Sequence, residues 1–218
     1  MKCVSVVLSA CVLAFGATAA SATTTVSIVS GNRGVTVLGG GPVAQTFVAT
    51  DSLLTNFGFQ FATTSASQTT ANVTFSLLAG NGLGGTALTS STANLAGLQF
   101  RTGTMFYDVF NGSVALTAGQ TYTALLTTTS ANLALMFGPA LAQTSNLDAY
   151  AGGSLIQKNT NDTSCNTGVC DANFRFTTTA APVAAVPETA TWMMLLAGFG
   201  MVGAGLRYRR RTMAVRFA

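Results

Sequence analysis

Phe57-Gly58-Phe59-Gln60-Phe61 puts an aromatic ring at every second residue, with glycine and glutamine between. Successive side chains of a strand point to opposite faces, so this spacing gathers three phenylalanines on one face of a sheet. The same period of two recurs outward from it. Val73, Phe75 and Leu77 alternate with Thr74 and Ser76; Leu133, Leu135 and Phe137 alternate with Ala134 and Met136; Phe174 and Phe176 flank Arg175. Turn signals lie between these runs at Gly39-Gly40-Gly41-Pro42, Gly80-Asn81-Gly82, Asn111-Gly112, Ala118-Gly119 and Gly152-Gly153. No stretch of the body has a sustained helical period with caps. Short half-buried strands with threonine at outward positions predict an all-β body, an antiparallel β-sandwich of jelly-roll type spanning residues 23–179.

The bulk composition misleads about that body. The formal charge is +4, yet between Thr23 and Val183 four basic residues (Arg33, Arg101, Lys158, Arg175) face five acids (Asp51, Asp108, Asp148, Asp162, Asp171). Counterion release from phosphates needs several clustered cations, so a sequence pI near 9.1 is no sign of a nucleic-acid partner. The mean hydropathy of +0.47 is likewise raised by the two ends of the chain.

At the N-terminal end, Lys2 supplies a positive n-region, Val4 to Ala14 an apolar core, and Ala20-Ser21-Ala22 an A-x-A cleavage site. Residues 1–22 therefore read as a secretory signal peptide. Leu8-Ser9-Ala10-Cys11 has the look of a lipoprotein box, but the apolar run continues through Phe15, and the chance match is preferred. At the other end, residues 180–186 read as a linker. Val186-Pro187-Glu188-Thr189 and Trp192 follow, then an apolar run carrying Met193, Leu195, Gly198, Phe199, Gly200, Gly203 and Leu206, then Arg207, Arg209, Arg210 and Arg211. The 15 uncharged residues from Trp192 to Leu206 would reach about 22 Å as a helix, against about 30 Å of hydrocarbon. One C-terminal transmembrane helix is the expectation, with local bilayer thinning and snorkelling arginines making up the difference. The arginines orient it with residues 212–218 in the cytoplasm and the body outside.

In their order, Pro187-Glu188, Trp192, Met193-Met194-Leu195, Gly198-Phe199-Gly200 and Arg209 to Arg211 resemble the PEP-CTERM sorting signal of Gram-negative bacteria, here residues 187–211. Two departures stand out: Thr189 replaces the motif's second proline, and seven residues follow the arginines. The resemblance implies an exosortase as partner, a membrane-embedded processing enzyme that cuts near Pro187-Glu188, and a chain anchored transiently in the inner membrane before it reaches the cell surface or the medium. It further implies an extracellular matrix setting of exopolysaccharide or biofilm.

Candidate chemistry within the body is sparse. Without histidine there is no Ser-His-Asp or Cys-His constellation, and the five aspartates are scattered. We expect no catalytic residue, no cofactor and no metal site. Gly80-x-Gly82-x-x-Gly85 has dinucleotide-fingerprint spacing, but Thr86 to Thr92 looks like a returning strand where the fingerprint needs a helix. A glycine-rich hairpin is expected instead. Cys165 and Cys170 are expected to close a small disulfide loop in an oxidising compartment. Asp148, Asn159, Asn161 and Asp162 carry oxygen ligands for Ca²⁺ but lack a fixed-spacing loop. Tyr107, Tyr122, Asp148 and Tyr150, with Asp108 nearby, could line a glycan-contact surface; the alternative is ordinary packing with wet hydroxyls.

Gln45-Thr46-Phe47, the Phe57 to Phe61 strand, Ala118-Gly119-Gln120-Thr121-Tyr122 and Tyr150-Ala151-Gly152-Gly153 also resemble the body domains that precede such sorting signals. The expected role is structural or adhesive, without catalysis. A carbohydrate-binding module is the alternative, and a glycan hydrolase is less favoured.

Overall fold

The computed structural model describes residues 22–138, 148–158, 160–161, 169–181 and 189–214. The expected signal peptide up to Ser21, with Ala20 of its cleavage site, lies outside them. So do Val186, Pro187, Glu188 and Cys165.

The described body folds into strands that form two antiparallel sheets. In chain order they are β1 (Thr23–Ile28), β2 (Arg33–Thr36), β3 (Val43–Val48), β4 (Leu53–Thr63), β5 (Thr70–Ala79), β6 (Ala87–Ala96), β7 (Phe106–Ala115), β8 (Thr121–Thr127), β9 (Leu133–Phe137), β10 (Leu155–Gln157), β11 (Thr160–Asn161) and β12 (Phe174–Thr179). One sheet runs β1-β12-β4-β9-β2, with β7 also paired to β4; the other runs β11-β10-β3-β8-β5-β6. The alternating runs account for the layers. Phe57, Phe59 and Phe61 of β4 and Phe174 and Phe176 of β12 are buried in one core with Phe47 of β3, Phe75 of β5 and Leu126 of β8 from the facing sheet. The Phe57 ring centre lies 5.1 Å from Phe47, 5.0 Å from Phe59 and 5.5 Å from Phe75, so it joins both layers.

Outward faces are stitched by polar cross-strand pairs. Thr25 faces Thr177 at 3.0 Å, Asn56 donates to Asn111 at 2.6 Å, and Asn94 donates to Asn72 at 2.8 Å. Gly58 interrupts the outward row for a steric reason. It pairs with both Arg175 and Asp108, whose ion pair at 2.8 Å passes over it. A Cβ at position 58 would lie 2.9 Å from the Asp108 carboxylate and 3.3 Å from Arg175 Nε.

Gly80 and Gly82 take positive φ in the connection from β5 to β6, and Gly119 does so between β7 and β8. These turns follow the glycine signals, and β6 is the returning strand expected after Gly85. Asn111-Gly112 is different: it lies inside β7 and makes no turn. Asn111 pairs opposite Asn56, and the irregularity appears as register shifts along the β4–β7 ladder. The body's hydrogen bonding also runs past 179, where Ala180 N–H donates to Ala22 O and Ala181 N–H to Ser52 Oγ.

The C-terminal helix α1 spans Thr189–Ala214, 26 residues, about 39 Å long. Its reading as a transmembrane helix is corrected here. No helix among the described residues is long and apolar enough to cross a membrane. Thr189 and Thr191 occupy its first turn, Gly198, Gly200, Gly203 and Gly205 dilute its middle, and arginines fill the turns after Leu206.

Candidate functional site

Helix α1 carries the first candidate. Apolar residues surround its axis without a preferred face. Trp192, Met193, Leu195, Phe199 and Leu206 are all exposed, and Met194 reaches 80 %. Exposed apolar side chains of this kind favour an apolar environment. Nothing lies within 4 Å of where a Cβ would sit on Gly198, Gly200, Gly203 or Gly205, so this stretch is open to close approach by another helix. Arg207, Arg209, Arg210 and Arg211 sit toward the C-terminal end, where cations complement the helix dipole. Thr189 begins the helix, placing the expected recognition pair Pro187-Glu188 immediately before it.

The second candidate is a buried polar junction in the body. Beyond Phe59, β4 leaves β12 and pairs with β9, and the segment Asp171–Asn173 fills the fork. Asn173 N–H donates to Met136 O, Gln60 N–H donates to Asn173 O, and Gly138 N–H donates to Asp171 O. The Asn173 side chain is fully committed. Its Nδ2 donates to Gly31 O at 2.6 Å and to Gln60 Oε1 at 2.7 Å, while its Oδ1 accepts from Ser30 N at 2.8 Å and Gly31 N at 3.1 Å. Gln45 reaches in from the facing sheet. Its Nε2 donates to Asp171 Oδ1 at 3.0 Å and its Oε1 accepts from Ala172 N at 2.8 Å. Four amide or carboxylate side chains, Gln45, Gln60, Asp171 and Asn173, almost wholly buried, thus join the two layers beside the aromatic core.

Asp171 is the titratable member. Burial raises its carboxyl from the usual 3.8 to about 7, against the donors Gln45 and Tyr150 N–H, and the neighbouring Asp148 carboxylate pushes the same way. Tyr150 N–H is shared between the two acids, 3.0 Å from Asp171 Oδ2 and 3.1 Å from Asp148 Oδ1. Because the folded value lies above the unfolded one, the folded chain holds a proton that the unfolded chain has released between about pH 4 and about pH 7. Stability is therefore fullest below that window, falls through it by about 1 kcal/mol per pH unit, and levels off above it. Urea midpoints measured at about pH 5 and about pH 8 are expected to show the loss, and Asp171→Asn to flatten it.

The residues expected to contact glycan are not brought together. Tyr122 is buried, its ring tilted against Phe47 at 6.1 Å and its hydroxyl accepting from Thr117 N–H at 2.8 Å. Tyr107 packs near Phe61 and donates to Gly97 O at 3.0 Å. Tyr150 sits edge-on to Phe174 at 5.2 Å, and its hydroxyl accepts from Val48 N–H at 3.1 Å. Burial raises the phenol values of Tyr107 and Tyr150. Each ring serves packing on a different element, and only Asp148 and Tyr150 are neighbours. Cys170 is buried, and the pairing expected for it falls on Cys165, outside the described residues. No group of three or more metal-ligating acids, cysteines or histidines occurs among the described residues.

Comparison with known families places the PEP-CTERM protein-sorting motif at residues 185–211, over the segment that leads into α1 and along most of that helix. Comparison with curated proteins finds no match. Among solved structures, one described as the structure of infectious bursal disease virus Gx strain is similar at 12 % identity, covering 78 % of this chain with a TM-score of 0.31. This chain spans about a third of that one, 35 % of its length. The motif implies an exported chain held transiently at a membrane for sorting.

Proposed function

We propose that the chain is an exosortase substrate whose body, a jelly-roll sandwich, serves a structural or adhesive role in an extracellular matrix of exopolysaccharide. The observation that carries the reading is the sorting motif at 185–211, which runs along a helix bearing exposed apolar side chains. In this reading the exosortase cuts at Pro187-Glu188, and the apolar helix holds the chain at the inner membrane until the cut. A signal peptide ending at Ala22 starts the export, and a Cys165–Cys170 disulfide rigidifies a loop of the exported body.

Strand order supports the jelly roll. The successive strands β3, β4, β5 and β6, β7, β8 pass back and forth between the sheets, giving β1-β12-β4-β7 opposite β3-β8-β5-β6. The part played by the carboxylates supports a role without catalysis. Asp108 pairs with Arg175, Asp51 accepts from Thr24, and Asp171 is sealed beneath Gln45 and Tyr150.

The test replaces Pro187-Glu188 with Ala-Ala. The variant is expected to stay at full length in the inner-membrane fraction, while the wild type is shortened and fractionates with the extracellular polysaccharide. Immunoblots of the separated fractions read both outcomes. Normal shortening and export of the variant would refute the sorting role, and wild-type protein absent from the polysaccharide fraction would refute the matrix role.

A further inference from the structure

Strand β6 ends its sheet. β5 pairs along one side of it, and among the described residues no backbone hydrogen bond meets the other side. On that flank Ser91 Oγ donates to Val109 O of β7, a side-chain contact that leaves the strand's own outward N–H and C=O groups unused.

The remaining sheet margins are shorter or irregular, and β6 from Thr89 to Ala96 is neither. β11 has two residues and β2 four. β1 has six. β7 is as long as β6, but its ladder shifts register twice and carries the Asp108–Arg175 ion pair. β6 runs for ten residues, Ala87 to Ala96, without a charge or a proline, and from Thr89 to Ala96 it pairs with β5 without a shift. Charge, proline, irregularity and brevity are the usual means by which an edge is kept from pairing with another chain.

We propose that β6 is a self-association edge, at which two copies of this chain pair antiparallel and join their sheets into one. The outward side chains favour a second copy as occupant. Ser90, Thr92 and Asn94 lie exposed on one face, bonded in turn to Ser76, Thr74 and Asn72 of β5. Every one of these groups both donates and accepts, so the strand meets its own reverse without an unmatched charge or an unsatisfied partner. Antiparallel pairing about Thr92 sets Ser90 opposite the second copy's Asn94 and Thr92 opposite its counterpart. The facing of every side chain is then preserved, and the polar row continues across the junction. Such a contact is two-fold symmetric and closes on itself as a dimer. The inference does not depend on how the tail is processed.

The test uses the full chain purified in detergent, in which Thr92→Cys and Thr74→Cys are compared on non-reducing gels. Thr92→Cys is expected to give a reductant-sensitive dimer that wild type lacks, while Thr74→Cys, one strand further in on the same face, gives none. In sedimentation velocity over a dilution series, wild type is expected to dimerise, and Thr92→Lys to remain monomeric with an unchanged melting temperature. Equal cross-linking of both cysteine variants, a wild type monomeric throughout, or a Thr92→Lys dimer as stable as the wild type would overturn the proposal. Should Thr92→Lys fail to fold, the cysteine pair decides alone.

Discussion

Replacing Phe57 with alanine is expected to cost about 4 kcal/mol of folding stability, enough to lower the melting temperature by about 10 °C. Its ring is wholly buried and has neighbours in both layers: Phe47 and Phe75 on the facing sheet, Phe59 on its own strand, and Phe174 and Phe176 on β12. Removing it deletes the transfer energy of the ring and opens a void whose walls are other rings, held by their own strands and slow to collapse inward. Phe57→Leu refills part of that volume and is expected to lose about half as much. Chemical denaturation at constant pH is the measurement, and a loss below about 1 kcal/mol for the alanine variant would mean that the two layers are not joined here.

Asn173→Ala is expected to be nearly as damaging, by about 3 kcal/mol, although it removes little apolar surface. The amide closes four hydrogen bonds to Gly31, Gln60 and Ser30, and a fifth contact comes from Ser30 Oγ at 3.1 Å. After truncation the half-buried Gly31 carbonyl and two backbone N–H groups lose their partner, and Gln60 Oε1 loses its donor. Asn173→Asp keeps the acceptor for Ser30 and Gly31 but loses both donated bonds, and it places a buried charge against Gly31 O and Gln60 Oε1. It should therefore be no better than alanine. Equal stability of wild type and Asn173→Ala would show that the fork between β4, β9 and β12 holds without its amide.

The aromatic strands were legible because period and chemistry agree in them. Phe57 to Phe61, Val73 to Leu77 and Phe174 to Phe176 each put large apolar groups on one face, and each is a strand whose apolar face is buried. Asn111-Gly112 was misread because the dipeptide favours a turn in isolation, whereas pairing of β7 along β4 keeps it extended. Threonine-rich β1 offers only Val26 and Ile28 as an apolar alternation; it is set by its six-residue register against β12. The polar junction was hidden for a different reason. Gln45 and Asp171 are 126 residues apart, and amides are common throughout this body, so no local spacing marks them. The one available signal was Gln45-Thr46 set inside the apolar run Val43, Ala44, Phe47, a polar insertion that a buried strand tolerates only with partners. At the tail the apolar run and arginines were evident, while the helix itself extends well past that run at its C-terminal end, and it falls short of a span because glycine and threonine dilute it.

The placement of β12 has a mechanical consequence. Its last residue, Thr179, lies opposite Thr23 of β1 on one side and Leu53 of β4 on the other, and both ladders run along its whole length. If the chain is tugged by its C-terminal end, the pull enters along the axis of a strand clamped from both flanks. Hydrogen bonds that lie across the strand then resist by sliding all together, where an outermost strand would peel away one bond at a time.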